Sequence, residues 1–146
     1  MASEKLSSGY AGDLKPADAW TLLGSEPTAQ LVDVRTRAEW NFVGKPDLSG
    51  LGRQVQFVEW LDFPAGTPDP DFVAKASAAL GGDKNAPVLF LCRSGARSRA
   101  AATAMTAAGY VRAYNIAEGF EGDPDDNYHR GTKNGWKAAG LPWIQT

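Results

Sequence analysis

The order of apolar and helix-forming segments predicts an α/β protein with a largely parallel sheet. Short apolar runs alternate along the chain with segments of helical spacing or composition. The strongest strand signal is the wholly apolar run Val88–Leu91. The strongest helix signal is the alanine-rich segment 97–108, which contains neither glycine nor proline and stops at Gly109. A strand followed directly by a helix is the repeating unit of a parallel α/β sheet.

Three further strands and three further helices complete the predicted order. The strands are predicted from short apolar runs at residues 30–34, 55–58 and 112–116. The helices are predicted at residues 16–23, ending before Gly24, at residues 38–40, which Thr36 can cap, and at residues 71–80, before Gly81-Gly82. Segments 43–52 and 64–70 are rich in glycine, proline and polar residues and are predicted loops.

Length, charge and composition are those of one folded domain outside the membrane. The 146 residues suit one core, and no repeat or linker divides them, so we expect a single domain over residues 1–146. Fifteen basic against seventeen acidic residues leave a net charge of −2, without the lysine and arginine runs that nucleic-acid binding needs. The first eight residues lack the apolar core of a signal peptide, and no stretch reaches the roughly 18 apolar residues of a membrane span. We therefore expect a cytoplasmic protein that binds neither nucleic acid nor membrane.

The single cysteine, Cys92, is the main candidate for chemistry. It has no second cysteine for an internal disulfide, and it follows the predicted strand Val88–Leu91, at the edge where parallel sheets place their sites. The loop Cys92-Arg93-Ser94-Gly95-Ala96-Arg97-Ser98 leads from this strand into a helix. Backbone N–H groups of such a loop, together with the helix dipole, form a cradle for an anion. The alternative is that Cys92 is a small apolar residue of the core.

The side chains of this loop support a reactive cysteine. Arg93 and Arg97 add positive charge that favours the thiolate, which is the nucleophilic form. Arg97 also stands at the start of the predicted helix, where a cation opposes the helix dipole and so indicates a functional role. Gly95 supplies backbone freedom for the turn, and the hydroxyl groups of Ser94 and Ser98 can hydrogen-bond the sulfur or the loop.

Three separated motifs resemble those of the rhodanese family of sulfurtransferases. They are Leu31-Val32-Asp33-Val34-Arg35 with Glu39-Trp40, the loop that begins at Cys92, and Gly135-Trp136 with Ala139-Gly140-Leu141-Pro142-Trp143. They stand in the family's order and extend over nearly the whole chain. The resemblance implies a three-layer α/β domain with a central, mainly parallel five-stranded sheet flanked by helices.

The resemblance also implies an activity. Members of this family take a sulfane sulfur from a donor such as thiosulfate onto the loop cysteine, as a persulfide, and pass it to a thiophilic acceptor such as cyanide or a thiol. By this resemblance the catalytic residues are Cys92, as nucleophile, and Arg97. The substrate-binding residues are Arg93, Ser94, Gly95, Ala96 and Ser98. The chemistry requires no metal and no organic cofactor.

Two other functions stay open. A rhodanese-like persulfide carrier or sensor that serves one dedicated protein partner would have the same Cys-x4-Arg loop. The related phosphatases hold phosphate in a Cys-x5-Arg loop, whereas Arg97 lies one residue closer to the cysteine. This shorter loop disfavours phosphatase or arsenate reductase chemistry.

Several other residues are predicted to have structural roles. Asp33 and Arg35 are expected to form a scaffold salt bridge and not an acid–base pair. The tryptophans are assigned to packing in the core and at its rim, and they are Trp20, Trp40, Trp60, Trp136 and Trp143. Trp60 or Trp136 at the mouth of the site is the alternative.

The polar segment 121–134 is the main departure from the family pattern. Its His129 lies near three aspartates, but a calcium loop counted from Asp123 would have Tyr128 where glycine belongs and Asn134 where glutamate belongs, so we predict no metal. In the family this region borders the active site. We therefore expect the segment to form a lid or a partner-docking flap that selects acceptors.

Overall fold

The computed structural model describes residues 9–62 and 64–145 and has the predicted α/β architecture. Its strands are β1 (Gly12–Leu14), β2 (Gln30–Asp33), β3 (Lys45–Pro46), β4 (Gln56–Phe57), β5 (Leu61–Asp62), β6 (Thr67–Pro68), β7 (Val88–Leu91), β8 (Ala113–Ile116) and β9 (Trp143–Ile144). Its helices are α1 (Pro16–Ser25), α2 (Arg37–Phe42), α3 (Phe72–Leu80) and α4 (Ala96–Ala107). In the part of the chain that the structure describes, no helix has the length and apolar character needed to cross a membrane.

Five strands form the central sheet, in the order β1-β8-β7-β2-β4. Every neighbouring pair in this sheet is parallel, which confirms the predicted five-stranded sheet. Strand β7 lies at its centre, and all of its residues are buried. An apolar strand without alternation is what a sheet covered on both faces requires. The end of β7 is therefore enclosed by β2 and β8 on its two sides.

The side chains of the central strands alternate between two apolar cores. Val88 and Phe90 pack in one cluster with buried residues of α3 and α4. Leu89 and Leu91 pack in the other with buried residues of α1. Full burial of such a side chain stabilises the fold by roughly 1.5–3 kcal/mol. The sheet thus lies between two helical layers, which confirms the predicted three-layer arrangement.

The helix ends follow local sequence signals, with one exception. Thr36 caps α2 in a reciprocal capping box with Glu39, and Gly81 ends α3 in the left-handed conformation with φ 79°. Helix α4 begins one residue earlier than predicted. The predicted end of α1 before Gly24 is wrong, because the helix continues through this glycine to Ser25. A glycine inside a helix costs about 1 kcal/mol relative to alanine, which is too little to end one.

The shortest strands were not predicted. Strand β1 was missed, and the strand predicted at residues 55–58 is reduced to β4. The predicted loops 43–52 and 64–70 contain β3, which pairs with β9, and β6, which pairs with β5. Two- or three-residue strands carry no periodic pattern of their own, so only their pairing partners define them.

Candidate active site

Cys92 follows β7 directly and lies with its sulfur inside the loop that leads to α4. The residue is 1% exposed. Its Sγ accepts a hydrogen bond from the Gly95 N–H at 3.1 Å, and it lies 3.2 Å from the Ser98 hydroxyl. The chain turns at Gly95 with φ 118°, a value that residues other than glycine rarely adopt. The loop thus brings one backbone donor, from Gly95, and one hydroxyl, from Ser98, to the sulfur, and Gly95 makes the turn for which the sequence predicted backbone freedom.

A buried hydrogen-bond chain continues from Ser98 away from the sulfur. The Ser98 hydroxyl contacts Asn115 Oδ1 at 2.5 Å, and Asn115 Nδ2 donates to Asp13 Oδ1 at 2.9 Å. Tyr10 also donates to Asp13 Oδ1, at 2.8 Å. Asn115 and Asp13 are not among the site residues that the sequence predicts. A polar residue inside the predicted apolar strand 112–116 was the available signal for Asn115, whereas the strand that carries Asp13 was itself missed.

Arg97 forms a two-point ion pair with Glu39 of α2. The two guanidinium nitrogens Nη1 and Nη2 lie 2.6 and 2.9 Å from the two carboxylate oxygens. Burial alone would raise the pKa of Glu39, but hydrogen bonds from Arg97 and from Thr36 outweigh burial and lower this pKa to about 2. The hydrogen bonds between Arg97 and Glu39 raise the pKa of Arg97 above its usual value. Both groups are therefore charged at neutral pH.

Glu39 was not predicted as a site residue, although a signal for it was present. It stands three residues after Thr36, which is the spacing of a capping box, and its Oε1 accepts from the Thr36 N–H at 3.0 Å. The cap fixes the carboxylate at the start of α2, where it meets Arg97. The positive charge that the sequence analysis assigned to Arg97 is thus balanced by a carboxylate.

The other loop residues differ in how far they reach solvent. Arg93 is exposed, and no residue in the two described stretches forms an ion pair or hydrogen bond with its guanidinium. Ala96 is exposed and Ser94 is half-buried. No described hydrogen bond links the Ser94 hydroxyl to the sulfur. Of the predicted substrate-binding side chains, Ser98 contacts Cys92, while Arg93 is the one placed to meet an anion from solvent.

The segment after β8 holds the carbonyl groups of the cysteine loop. The Phe120 N–H donates to the Cys92 carbonyl at 2.8 Å, and the Glu121 and Gly122 N–H groups donate to the Arg93 carbonyl at 3.0 and 3.2 Å. Gly119 allows this approach: it has φ 65°, and a Cβ atom there would lie 2.5 Å from the Arg93 carbonyl carbon and oxygen. The loop is therefore fixed through its backbone by residues that follow a different strand.

The polar segment 121–134 closes on itself beside this contact. The Asp123 N–H donates to Asn134 Oδ1 at 2.8 Å, and Asn134 Nδ2 donates to Asp123 Oδ2 at 3.1 Å. Within the segment, Asp125 accepts hydrogen bonds from the Thr132 hydroxyl and the His129 N–H, and the pKa of Asp125 is lowered by them. These hydrogen bonds use carboxylate oxygens that a metal would need. The described residues contain no cluster of three or more acidic, histidine or cysteine side chains suited to a metal.

Asp33 and Arg35 form the predicted scaffold salt bridge. Both side chains are fully buried, and Arg35 Nη2 lies 2.7 Å from Asp33 Oδ2. The same nitrogen donates to the Gly44 carbonyl at 2.8 Å, and the guanidinium lies 4.2 Å from the centre of the Phe120 ring. The pair thus joins the end of β2 to the segment that holds the cysteine loop.

The tryptophans fill the core and its rim, as predicted. Trp136 is fully buried, and its ring meets that of Trp20 edge to face. Trp60 is partly buried against Phe72, while Trp143 remains 39% exposed. These contacts assign packing roles to the rings.

A three-layer α/β fold with a cysteine at the end of the central parallel strand, inside a Cys-x4-Arg loop, defines a rhodanese-like domain. The chain belongs to the family described as the STR4 middle domain, which matches residues 12–146. It is similar to the rhodanese-like domain-containing protein 4, chloroplastic, of Arabidopsis thaliana, with 30% identity over 128 residues, or 88% of this chain and 24% of the plant protein.

Solved structures share the fold. The crystal structure of Rv0390 from M. tuberculosis is 50% identical in sequence and has a TM-score of 0.84, over 94% of this chain and 99% of that one. The polysulfide-sulfur transferase homodimer from Wolinella succinogenes is 24% identical and has a TM-score of 0.62, over 92% of this chain and 78% of that one. The second likeness establishes the fold alone.

Proposed function

We propose that this protein is a sulfurtransferase that carries a sulfane sulfur as a persulfide on Cys92. The observation that supports this most directly is the placement of the sulfur inside a closed loop, 3.1 Å from a backbone N–H donor, at the end of the central strand. The rhodanese-like plant relative and the Wolinella polysulfide-sulfur transferase, which has this fold, support the same chemistry. The proposed small donor is thiosulfate, and the proposed compartment is the reducing cytoplasm.

The proposed reaction is a double displacement. The Cys92 thiolate attacks the outer sulfur of thiosulfate, the S–S bond of the donor breaks, and sulfite leaves with the bonding electron pair. A new S–S bond now joins Sγ to the transferred sulfur. A thiol or cyanide then attacks that outer sulfur, and Cys92 leaves as the thiolate. No external oxidant or reductant is consumed.

The two arginines have different roles in this proposal. Arg93 is exposed and has no ionic partner in the described residues, so it attracts the anionic donor to the loop. Arg97 is paired with Glu39, so it holds the start of α4 and the loop in place. Backbone N–H groups of the loop stabilise the outer sulfur of the persulfide, as an oxyanion hole stabilises oxygen.

The test is the mass of the intact protein after exposure to thiosulfate. We expect a gain of one sulfur atom that a thiol reductant removes and that Cys92→Ser abolishes. Because Cys92 is the single cysteine of the chain, the gain reports on this residue alone. A mass that stays unchanged with thiosulfate, polysulfide and every other sulfane donor tried would contradict the proposal.

A second candidate is a persulfide carrier or sensor with a dedicated protein partner. It is favoured by the closed segment 121–134, which is hydrogen-bonded to the cysteine loop and presents Tyr128 with 90% exposure. Comparing the rate of cyanide turnover with the rate of sulfur delivery to protein thiols separates the two. Fast loading with slow cyanide turnover would favour the carrier.

A further inference from the structure

The hydrogen-bond chain from Cys92 to Asp13 has a direction that can be worked out by counting hydrogens. Asp13 lies on β1, and its carboxylate has no hydrogen to donate, so the amide nitrogen of Asn115 faces it. The amide oxygen of Asn115 therefore faces Ser98. An amide oxygen only accepts, so the single hydroxyl hydrogen of Ser98 is directed to Asn115.

Counting hydrogens in the same way shows which atom donates in the contact between Ser98 and the sulfur. Once its hydrogen is directed to Asn115, the Ser98 oxygen can offer only a lone pair to Cys92. The contact of 3.2 Å is then a hydrogen bond in which the S–H group donates. A thiolate at the same position would keep the Gly95 N–H as a donor but would face a lone pair of the Ser98 oxygen, unless the serine hydrogen turned from Asn115 to the sulfur. That turn would leave the oxygen of the fully buried Asn115 without its donor.

We propose that Asn115 and Asp13 are positioning residues that direct the Ser98 hydroxyl away from the sulfur and so favour the thiol form of resting Cys92 over the thiolate. The relevance of this hydrogen-bond chain to sulfur transfer rests on the proposed function, because the thiolate is the form that attacks a donor. The thiolate is also the form that reacts with oxidants and alkylating agents. The chain thus sets what fraction of the resting cysteine is reactive, and it acts from β1 and β8 through Ser98.

Other charged groups lie on the elements around Cys92, and the test must leave them unchanged. They come from the cysteine loop, from β2 and the turn after it, from α2, and from the segment after β8. They are Arg93 and Arg97, Asp33 and Arg35, Glu39, and Glu118 and Glu121. Replacing neutral Asn115 changes none of these charges.

The test is the pH profile of the alkylation rate of Cys92, which needs no sulfur donor. In Asn115→Leu the serine hydrogen is free to turn to the sulfur and stabilise the thiolate. A hydrogen bond to a charged group is strong enough to move the midpoint of the profile down by about one pH unit, or about tenfold in rate at a pH below the midpoint. A midpoint that does not move would overturn the proposal.

The same substitution in a Ser98→Ala background is the decisive control. Without the hydroxyl there is no hydrogen to redirect, so adding Asn115→Leu to Ser98→Ala should leave the midpoint where Ser98→Ala puts it. An equal shift in both backgrounds would show that the effect does not pass through Ser98, and the proposal would be wrong. This double-mutant comparison separates the hydrogen-bond chain from a general change in packing.

Asp13→Asn is the second variant for this test if Asn115→Leu does not fold. Asp13 is exposed, so its replacement disturbs the core less. An amide at this position can donate, which lets the Asn115 amide turn over and donate to Ser98. The serine hydrogen is then released to the sulfur. We expect a downward shift of the midpoint that disappears in the Ser98→Ala background, whereas the loss of a charge acting through space would persist there.

The result of this alkylation test is independent of the result of the sulfur-loading test of the proposed function. If the midpoint shifts as expected but no donor adds sulfur, the hydrogen-bond chain stands and the sulfurtransferase proposal fails. If sulfur is added but the midpoint does not move, the reverse holds. Where both hold, the variants should also load sulfur faster at low pH, with little change at a pH well above the midpoint.

Discussion

The guanidinium of Arg97 contacts both carboxylate oxygens of Glu39, and this contact joins the first turn of α4 to the first turn of α2. The two residues are 58 positions apart in the sequence. A planar guanidinium that meets a carboxylate through two parallel hydrogen bonds is held in one orientation, which a single contact would not achieve. The ion pair therefore fixes where α4 begins and, with it, the shape of the cysteine loop.

Replacing Glu39 by glutamine tests the strength of this pair. Glutamine can keep the capping box with Thr36, so the change removes the charge and leaves the cap. We expect the free energy of unfolding at neutral pH to fall by about 1–2 kcal/mol, since the pair is only partly shielded from water. Urea denaturation measures it. Glu26→Gln is the matched control, because its contact with Arg112 is longer and more exposed, and its effect should stay within about 0.5 kcal/mol.

The pair also predicts how stability depends on pH. The pKa of Glu39 is about 2 in the folded protein and 4.5 without the fold. A lowered pKa contributes stability that is fully present above about 4.5 and is lost as the pH falls towards about 2. The difference in unfolding free energy between the parent and Glu39→Gln should thus be constant above that range and shrink within it. A constant difference throughout would contradict the assignment.

Arg93 and Arg97 should fail in different ways when replaced. Arg93→Ala removes an exposed charge, so we expect the KM for thiosulfate to rise about threefold to fivefold, with stability unchanged and with the effect fading at high salt. Arg93→Lys keeps the positive charge, so its KM for thiosulfate should stay close to that of the parent. Arg97→Lys cannot form the two-point contact with Glu39, so it should lower both stability and the rate of persulfide formation. Equal KM effects from both positions, with no change in stability, would contradict these separate roles.

The segment 121–134 can be shortened because its ends meet. Joining Asp123 to Asn134 through two glycines keeps the contacts that hold the cysteine loop, which lie before the deletion. If the segment selects acceptors, the KM for thiosulfate should stay within about twofold while the rate of sulfur delivery to thiol acceptors changes several-fold. Asp125→Ala is the control that keeps the parent's full length, since it removes hydrogen bonds within the segment without removing the segment. Unchanged constants for every donor and acceptor would end the idea of a flap.

The sequence predicted the parts of the site that are contiguous in the chain. Cys92, Gly95 and Ser98 lie in one loop, and the apolar strand before it and the alanine-rich helix after it carry strong local signals. Glu39 and Asn115 could not be placed in the same way. They reach the loop from other elements, and which polar residue of a strand or helix faces a site depends on how the layers pack.

Strand β1 shows most clearly what local sequence signals cannot predict. It has three residues, too few for a periodic pattern, and it is defined by its pairing with β8. Asp13 meets Asn115 across 102 positions of sequence. Local propensity cannot show such a contact, because the free energy of a short strand comes from its neighbour and not from its own residues. The hydrogen-bond chain behind the cysteine therefore becomes visible only in the folded protein.

Gly119 offers a test of how closely the site depends on backbone contact. Gly119 and Gly52 have nearly the same φ, 65° and 69°, so alanine meets the same conformational strain at both, about 1–2 kcal/mol. They differ in surroundings: nothing lies within 4 Å of a Cβ at Gly52, whereas a Cβ at Gly119 would lie 2.5 Å from the Arg93 carbonyl. Gly119→Ala must therefore move the chain that fixes the cysteine loop.

We accordingly expect Gly52→Ala to lower the free energy of unfolding by about 1–2 kcal/mol and to load sulfur as the parent does. Gly119→Ala should cost about 3 kcal/mol or more and should lose persulfide formation even where it remains folded, because the Phe120 N–H can no longer hold the Cys92 carbonyl. Urea denaturation and the mass gain with thiosulfate measure the two effects. Equal losses in both variants would mean that strain at a left-handed residue, and not the close approach to the loop, accounts for the glycine.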